Sequence, residues 1–206
     1  MPLITTFIIF SIVLFNICLY ENWQLQRSGN NIKVYSRPIA NTGLRELKAI
    51  TSAEVPLSNL LAIIKDVEYY PSWVYRCSEA KILNKVSENE FYYYQKTFFP
   101  WPLSNRDIVI HVKISQNKNS GEITVKLDGV PDYIEKKAGL VRVRKFAGKW
   151  VLTPKDDGKI NIVHELFIET KGEIPPWLID YAAVEGPYST MYKMVSLVKN
   201  KRFSNK

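Results

Sequence analysis

The side chains best placed to do chemistry gather at the start of one strand. In TFFPWPLSNRDIVIHV, residues 97–112, an Arg-Asp pair precedes an alternating apolar run. Ile108, Ile110, Val112 and Ile114 share one face of a strand, and Val109, His111 and Lys113 take the other. Arg106 has the parity of the isoleucines, which aims a guanidinium into the interior. A buried guanidinium is costly unless it is paired, so it needs a carboxylate, a ligand oxygen or water beside it. Arg106 and Asp107 form the expected polar pair, and Glu88 or Glu90 on a neighbouring strand are candidate structural partners for the guanidinium. Two compatible roles stand open for Arg106: a structural salt bridge, and contact with a polar group of a ligand.

His164 has the parity of Ile160, Ile162, Leu166 and Ile168 and also faces inward, as a satisfied core histidine or as an acid–base group. His111 falls on the outer face and is expected to be exposed. Past residue 20 the only cysteine is Cys77, which excludes an internal disulfide and a Cys-rich zinc site. Two histidines on different strands make no metal cluster, and no G-x-S-x-G elbow supports a serine nucleophile. Neither a metal nor a cofactor is expected.

The elements that must position these groups follow from patterning. With 206 residues, 46% of them apolar and 23% charged, the chain suits one domain with an N-terminal appendage. Residues 1–20, MPLITTFIIFSIVLFNICLY, carry no acid, lysine or arginine and form the appendage; 21–206 form the domain. Such a run is a cleaved signal peptide, an uncleaved anchor or, through Cys18, a lipidation site. Each takes the chain across or onto a membrane, so it is exported, periplasmic or secreted after cleavage, or membrane-anchored. A short helix is expected near Asn22–Gln26, then strands at 32–39 and 43–55. A helix from Pro56 that Pro71 ends comes next. Seven strand-like segments follow between 77 and 170, among them GLVRVRKF at 139–146, punctuated by Asn-Ser-Gly and Asp-Asp-Gly turns. The last element is a long helix whose stripe includes Trp177, Leu178, Tyr181, Ala182, Tyr188 and Met191. One long helix and a strongly curved antiparallel sheet must bury each other's apolar faces, and such a pair tends to leave a cavity.

Several landmarks occur in order: W-x-L near 23, IKVYSRPI, SWV at 72–74, PWPLSNRDIV at 100–109 and PPWLIDYAAVEGPYSTMYKM at 175–194. Together they resemble a StAR-related lipid-transfer (START) domain over about residues 21–203. The Pro-x-Ser-x-Arg-Asp strand entry and the Pro-x-Trp-Leu helix start are the most specific of them. The resemblance implies an α+β helix-grip fold, a curved antiparallel sheet of seven to nine strands around a long C-terminal helix. It also implies a lipid-sized cavity with a polar anchor, and no catalysis. The expected lining is Arg106, Ile108, Ile110, Val112, His164, Leu166, Trp177, Tyr181 and Met191.

Two further features bear on that cavity. Pro100, Trp101 and Pro102 make a stiff loop at the cavity mouth, either a greasy lip that touches membrane or a tryptophan folded onto the core. Gly186 and Pro187 interrupt the last helix, either as a hinge for residues 176–185 or as a static kink. The net charge of +8 fits anionic partners. Lys136, Lys137, Arg142, Arg144, Lys145 and Lys149 accompany no nucleic-acid motif, so a solvated face or an anionic lipid surface is expected rather than nucleic acid. The expected partners are a lipid or other hydrophobic small molecule and a membrane surface, with the domain a monomer. Two rivals remain: an enzyme of the polyketide cyclase or aromatase type using His164 or a cavity tyrosine, and a signalling module that its ligand only regulates.

Overall fold

The computed structural model of the protein describes residues 23–39, 44–169 and 174–204; the apolar segment 1–20 lies outside them. Ten strands alternate with few helices: β1 (Gln24–Gly29), β2 (Ile32–Pro38), β3 (Arg45–Ala53), β4 (Cys77–Ser87), β5 (Glu90–Thr97), β6 (Arg106–Gln116), β7 (Ile123–Gly129), β8 (Val141–Arg142), β9 (Phe146–Pro154) and β10 (Ile160–Ile168). The helices are α1 (Leu57–Lys65), a 3-10 segment (Val67–Ser72), α2 (Pro176–Leu197) and α3 (Lys201–Ser204). The strands form one curved sheet in the order β1-β2-β3-β10-β9-β7-β6-β5-β4. Every pair is antiparallel except β8, which lies parallel to β6.

Three local expectations are corrected. The helix expected near residues 22–26 is strand β1, folded onto β2 through Asn30 and Asn31 at φ 49° and 58°. Two successive positive-φ residues suit a two-residue hairpin turn, and asparagine tolerates that conformation better than most residues. Pro71 does not end α1, which stops at Lys65; the proline sits inside the 3-10 segment. The strand expected over 139–146 is mostly irregular, with only Val141 and Arg142 paired before β9 begins at Phe146.

The interior is filled at one end of the sheet. Val34, Ala49, Ile162, Leu152 and Val125 meet Leu60 and Ile63 of α1, Met191 and Met194 of α2, Val198 and Phe203, every one of them fully buried. Each large apolar side chain in that cluster contributes roughly 1.5–3 kcal/mol. α2 crosses β1, β2 and β3, held at the edge by an Arg27–Glu185 ion pair and by Asn30, whose Nδ2 donates to the Tyr188 hydroxyl at 2.8 Å. Toward the other end of the same strands the filling stops.

Candidate functional site

A cavity of about 510 Å³ occupies that other end. Its walls come from Leu47 on β3, Tyr93 on β5, Ile108 and Ile110 on β6, Leu127 on β7, Trp150 on β9, and Leu166 and Ile168 on β10. Its roof is the N-terminal half of α2, through Leu178, Ile179, Ala182, Ala183, Gly186, Pro187 and Thr190. The roof explains the space. At 100° per residue these positions make one stripe, and three of its members are alanine or glycine. A Cβ on Gly186 would already stand 3.6 Å from the Tyr75 ring. Pro187 is buried within the helix and has no N–H to give the Ala183 carbonyl one turn before it.

Arg106, Ile108, Ile110, His164 and Leu166 all lie in this wall. Val112 and Met191 do not; both are wholly buried in the filled end of the molecule. Trp177 and Tyr181 do not either, being 69% and 53% exposed. They occupy the helix stripe next to the roof, so bulk was a misleading guide to the inner face. Space is left where side chains are small, and the large rings go outside.

Arg106 is buried, its Nη1 donates to the Ser104 carbonyl at 2.8 Å, and its guanidinium lies 4.1 Å over the Phe99 ring. Burial pulls its pKa below the usual arginine range. Glu88 and Glu90 are not its partners. Glu88 pairs with Lys85, and Glu90 with His111 and Lys113, at the far end of the β5–β6 hairpin from Arg106, which stands opposite Thr97. Arg106 and Asp107 are not a pair either, because consecutive strand residues project to opposite faces. Asp107 spends both carboxylate oxygens on Arg142, at 2.8 and 2.9 Å, and both side chains are almost fully buried. Arg142 also donates to the carbonyls of Ile134 and Glu135, at 3.1 and 3.2 Å. Bonding to Asp107 raises the Arg142 pKa. Arg142 is thus a clamp on the segment before β8 rather than part of a solvated face. Arg144 does lie outside, paired with Asp132 at 2.8 Å.

His164 is stacked flat on Trp150, with ring centroids 3.7 Å apart, and desolvation lowers its pKa to about 3. Its Nδ1 is sealed from solvent and makes no hydrogen bond, so it is not a satisfied core histidine. Trp73 stands beside Trp150, centroids 6.1 Å apart, and completes an aromatic floor with Tyr70 and Tyr93. Burial raises the pKa of both tyrosines, and the Tyr70 hydroxyl donates to the Ile64 carbonyl at 2.6 Å. His111 is not exposed as expected. It is half-buried, stacked on Tyr92 at 4.2 Å, and Tyr92 stacks in turn on Tyr133.

Trp101 is 92% exposed on the loop between β5 and β6, flanked by exposed Pro100 and Pro102, so it does not fold onto the core. Two residues earlier Phe99 turns into the cavity. Trp73, Phe99, Trp150 and Arg142 are site residues that sequence reasoning missed. Only Trp150 carried a usable signal, its parity with buried Leu152 in KWVLTP. Among the described residues no group of three or more His, Cys, Asp or Glu could hold a metal ion. No described helix is long and apolar enough to cross a membrane.

A family model described as "START domain" matches residues 20–201. The chain is 30% identical over 196 residues to the phosphatidylcholine transfer protein of Rattus norvegicus, covering 87% of this chain and 85% of that one. An uncharacterised protein of Pseudomonas aeruginosa is 30% identical over 173 residues, 84% and 85% of the two chains. The crystal structure of a STAR-related lipid transfer protein from Xanthomonas axonopodis superposes with a TM-score of 0.79 at 29% identity, over 86% of this chain and 99% of that one. With the family model spanning nearly every described residue and the curved sheet and C-terminal helix matched in a solved relative, this chain belongs to the START domain family.

Proposed function

We propose that the protein binds one hydrophobic molecule, a lipid or sterol, in the cavity beneath α2 and carries it between membranes without transforming it. The observation that carries this reading is the apolar cavity itself, roofed by alanines and glycine where a filled core would hold large side chains. Its lining is mainly apolar, with charged and polar side chains such as Arg106, Asp107, Arg142, His164, Glu169 and Asp180 set into it, which suits recognition of polar ligand features within a mostly apolar contact. Apolar ligand surface contributes about 25 cal/mol per Å² removed from water. Arg106 is placed to meet an anionic or strongly accepting group of the ligand. Phe98 and Trp101 on the loop, with Trp177 and Tyr181 at the start of α2, present exposed rings that suit an interfacial contact. The +8 charge favours an anionic surface. Residues 1–20 direct export or anchor the chain, and the domain acts as a monomer. An acid–base role for His164 is disfavoured, because a ring held near pKa 3 is a poor base at neutral pH and has no carboxylate to orient it.

The test is native mass spectrometry of the purified protein, followed by organic extraction of what copurifies, and a vesicle-to-vesicle transfer assay. One bound lipid per chain and accelerated transfer are expected. A protein that emerges empty and accelerates the transfer of no lipid class overturns the proposal, as does one that releases a chemically altered product.

A further inference from the structure

The cavity floor holds a second polar station, distinct from Arg106. In the register, His164 of β10 stands between Trp150 of β9 and Ala49 of β3, at the boundary where the cavity gives way to the filled core. Two ring nitrogens of this floor, Trp73 Nε1 and His164 Nδ1, are buried and make no hydrogen bond. Trp73 is 2% and His164 9% exposed, and both belong to the cavity wall. A buried polar atom without a partner is costly, and native proteins keep few of them. With Nδ1 sealed, only Nε2 of His164 remains to serve the cavity. A neutral imidazole has one N–H, and the proton rests at lower cost on the nitrogen that can find an acceptor.

We infer that the deep end of the cavity receives an uncharged oxygen of the ligand, a hydroxyl, ether or carbonyl, which accepts a hydrogen bond from His164 Nε2. The inference rests on the lipid-carrier reading and narrows it: the preferred ligand is polar at its buried end and does not finish there in bare hydrocarbon. A charged group fits this end poorly. Among the described residues no arginine or lysine stacks over the Trp73, Trp150 or Tyr93 rings, and the arginines of the cavity wall, Arg45, Arg76, Arg106 and Arg142, come from other stretches of the lining. Among the described residues the floor rings are packed on one another and form no open cage for an ammonium group. His164 covers one face of Trp150, and Tyr70 packs edge-on against Trp73 and Tyr93.

The inference is tested with the full chain and a matched probe pair, hexadecanoic acid and 16-hydroxyhexadecanoic acid, each displacing a fluorescent fatty acid. The hydroxylated acid is expected to bind about tenfold more tightly than its parent, the size of one well-made hydrogen bond. In His164→Phe, which keeps a flat ring on Trp150, that preference should vanish or reverse. His164→Gln, which keeps an N–H donor, should retain part of it if the phenylalanine variant folds poorly. Because the ring is neutral throughout, the preference should be constant between pH 5 and 8. A wild-type protein that favours the unsubstituted acid, or a folded His164→Phe protein that still favours the hydroxylated one, overturns the inference. If neither acid displaces the probe while phosphatidylcholine is still extracted from vesicles, the inference fails and the carrier reading stands. If nothing is extracted either, both fail.

Discussion

Asp107→Asn tests the buried Asp107–Arg142 ion pair, whose two residues both border the cavity. The carboxylate and the Arg142 guanidinium are 1% and 2% exposed, joined by two hydrogen bonds of 2.8 and 2.9 Å. The amide offers one acceptor where two were used and leaves the Arg142 charge buried without its counter-ion. Breaking a buried pair from one side costs about 3–5 kcal/mol. For a chain of this length each kcal/mol moves Tm by about 2–4 °C, so the melt should fall by roughly 6–20 °C. Replacing both partners by apolar residues of similar size, Asp107→Leu with Arg142→Met, should recover much of the loss. It will not recover all of it, because Arg142 also holds the carbonyls of Ile134 and Glu135. Urea denaturation followed by circular dichroism gives the stabilities, with coupling read from the double-mutant cycle. A single variant that loses less than about 1 kcal/mol, or a double variant that loses the sum of the two singles, refutes the clamp.

Arg106→Lys keeps the charge and loses the planar fork, so it should remain folded and bind the copurifying lipid about tenfold or more weakly, by titration. Unchanged affinity would reduce Arg106 to scaffolding. His164 makes stability depend on pH. Its pKa of about 3 in the fold lies below the ordinary 6.5, so the unfolded chain binds the proton first as pH falls. Stability should therefore decline below about pH 6.5, by at most about 1.4 kcal/mol per pH unit from this group, and His164→Phe should flatten that slope in acid melts. Trp101→Ala, at a side chain 92% exposed, should change stability by less than about 0.5 kcal/mol yet slow lipid transfer from anionic vesicles. An unchanged transfer rate would take the loop off the membrane.

How much of this was legible before folding depends on the range of the physics involved. Strand parity is local, and it put Arg106, Ile108, Ile110, His164 and Leu166 on one face without knowledge of any neighbour. The same parity called for Arg106 and Asp107 to point apart, yet adjacency in sequence still suggested a pair. The true partner of Asp107 lies 35 residues on, brought home by a two-residue strand too short to announce itself. The hairpin turn at Asn30 and Asn31 carried its own signal but was overridden by the expectation of an N-terminal helix. On α2 the period was readable but the inward side was not. Trp177 and Tyr181 look like core residues until the sheet shows that this stretch of helix roofs a space instead of filling one. Periodicity assigns a residue to a stripe from its own neighbours alone. Which stripe meets a void, and which buried charge meets which, depends on volume and distance between segments far apart in the chain, and only the packed structure sets those.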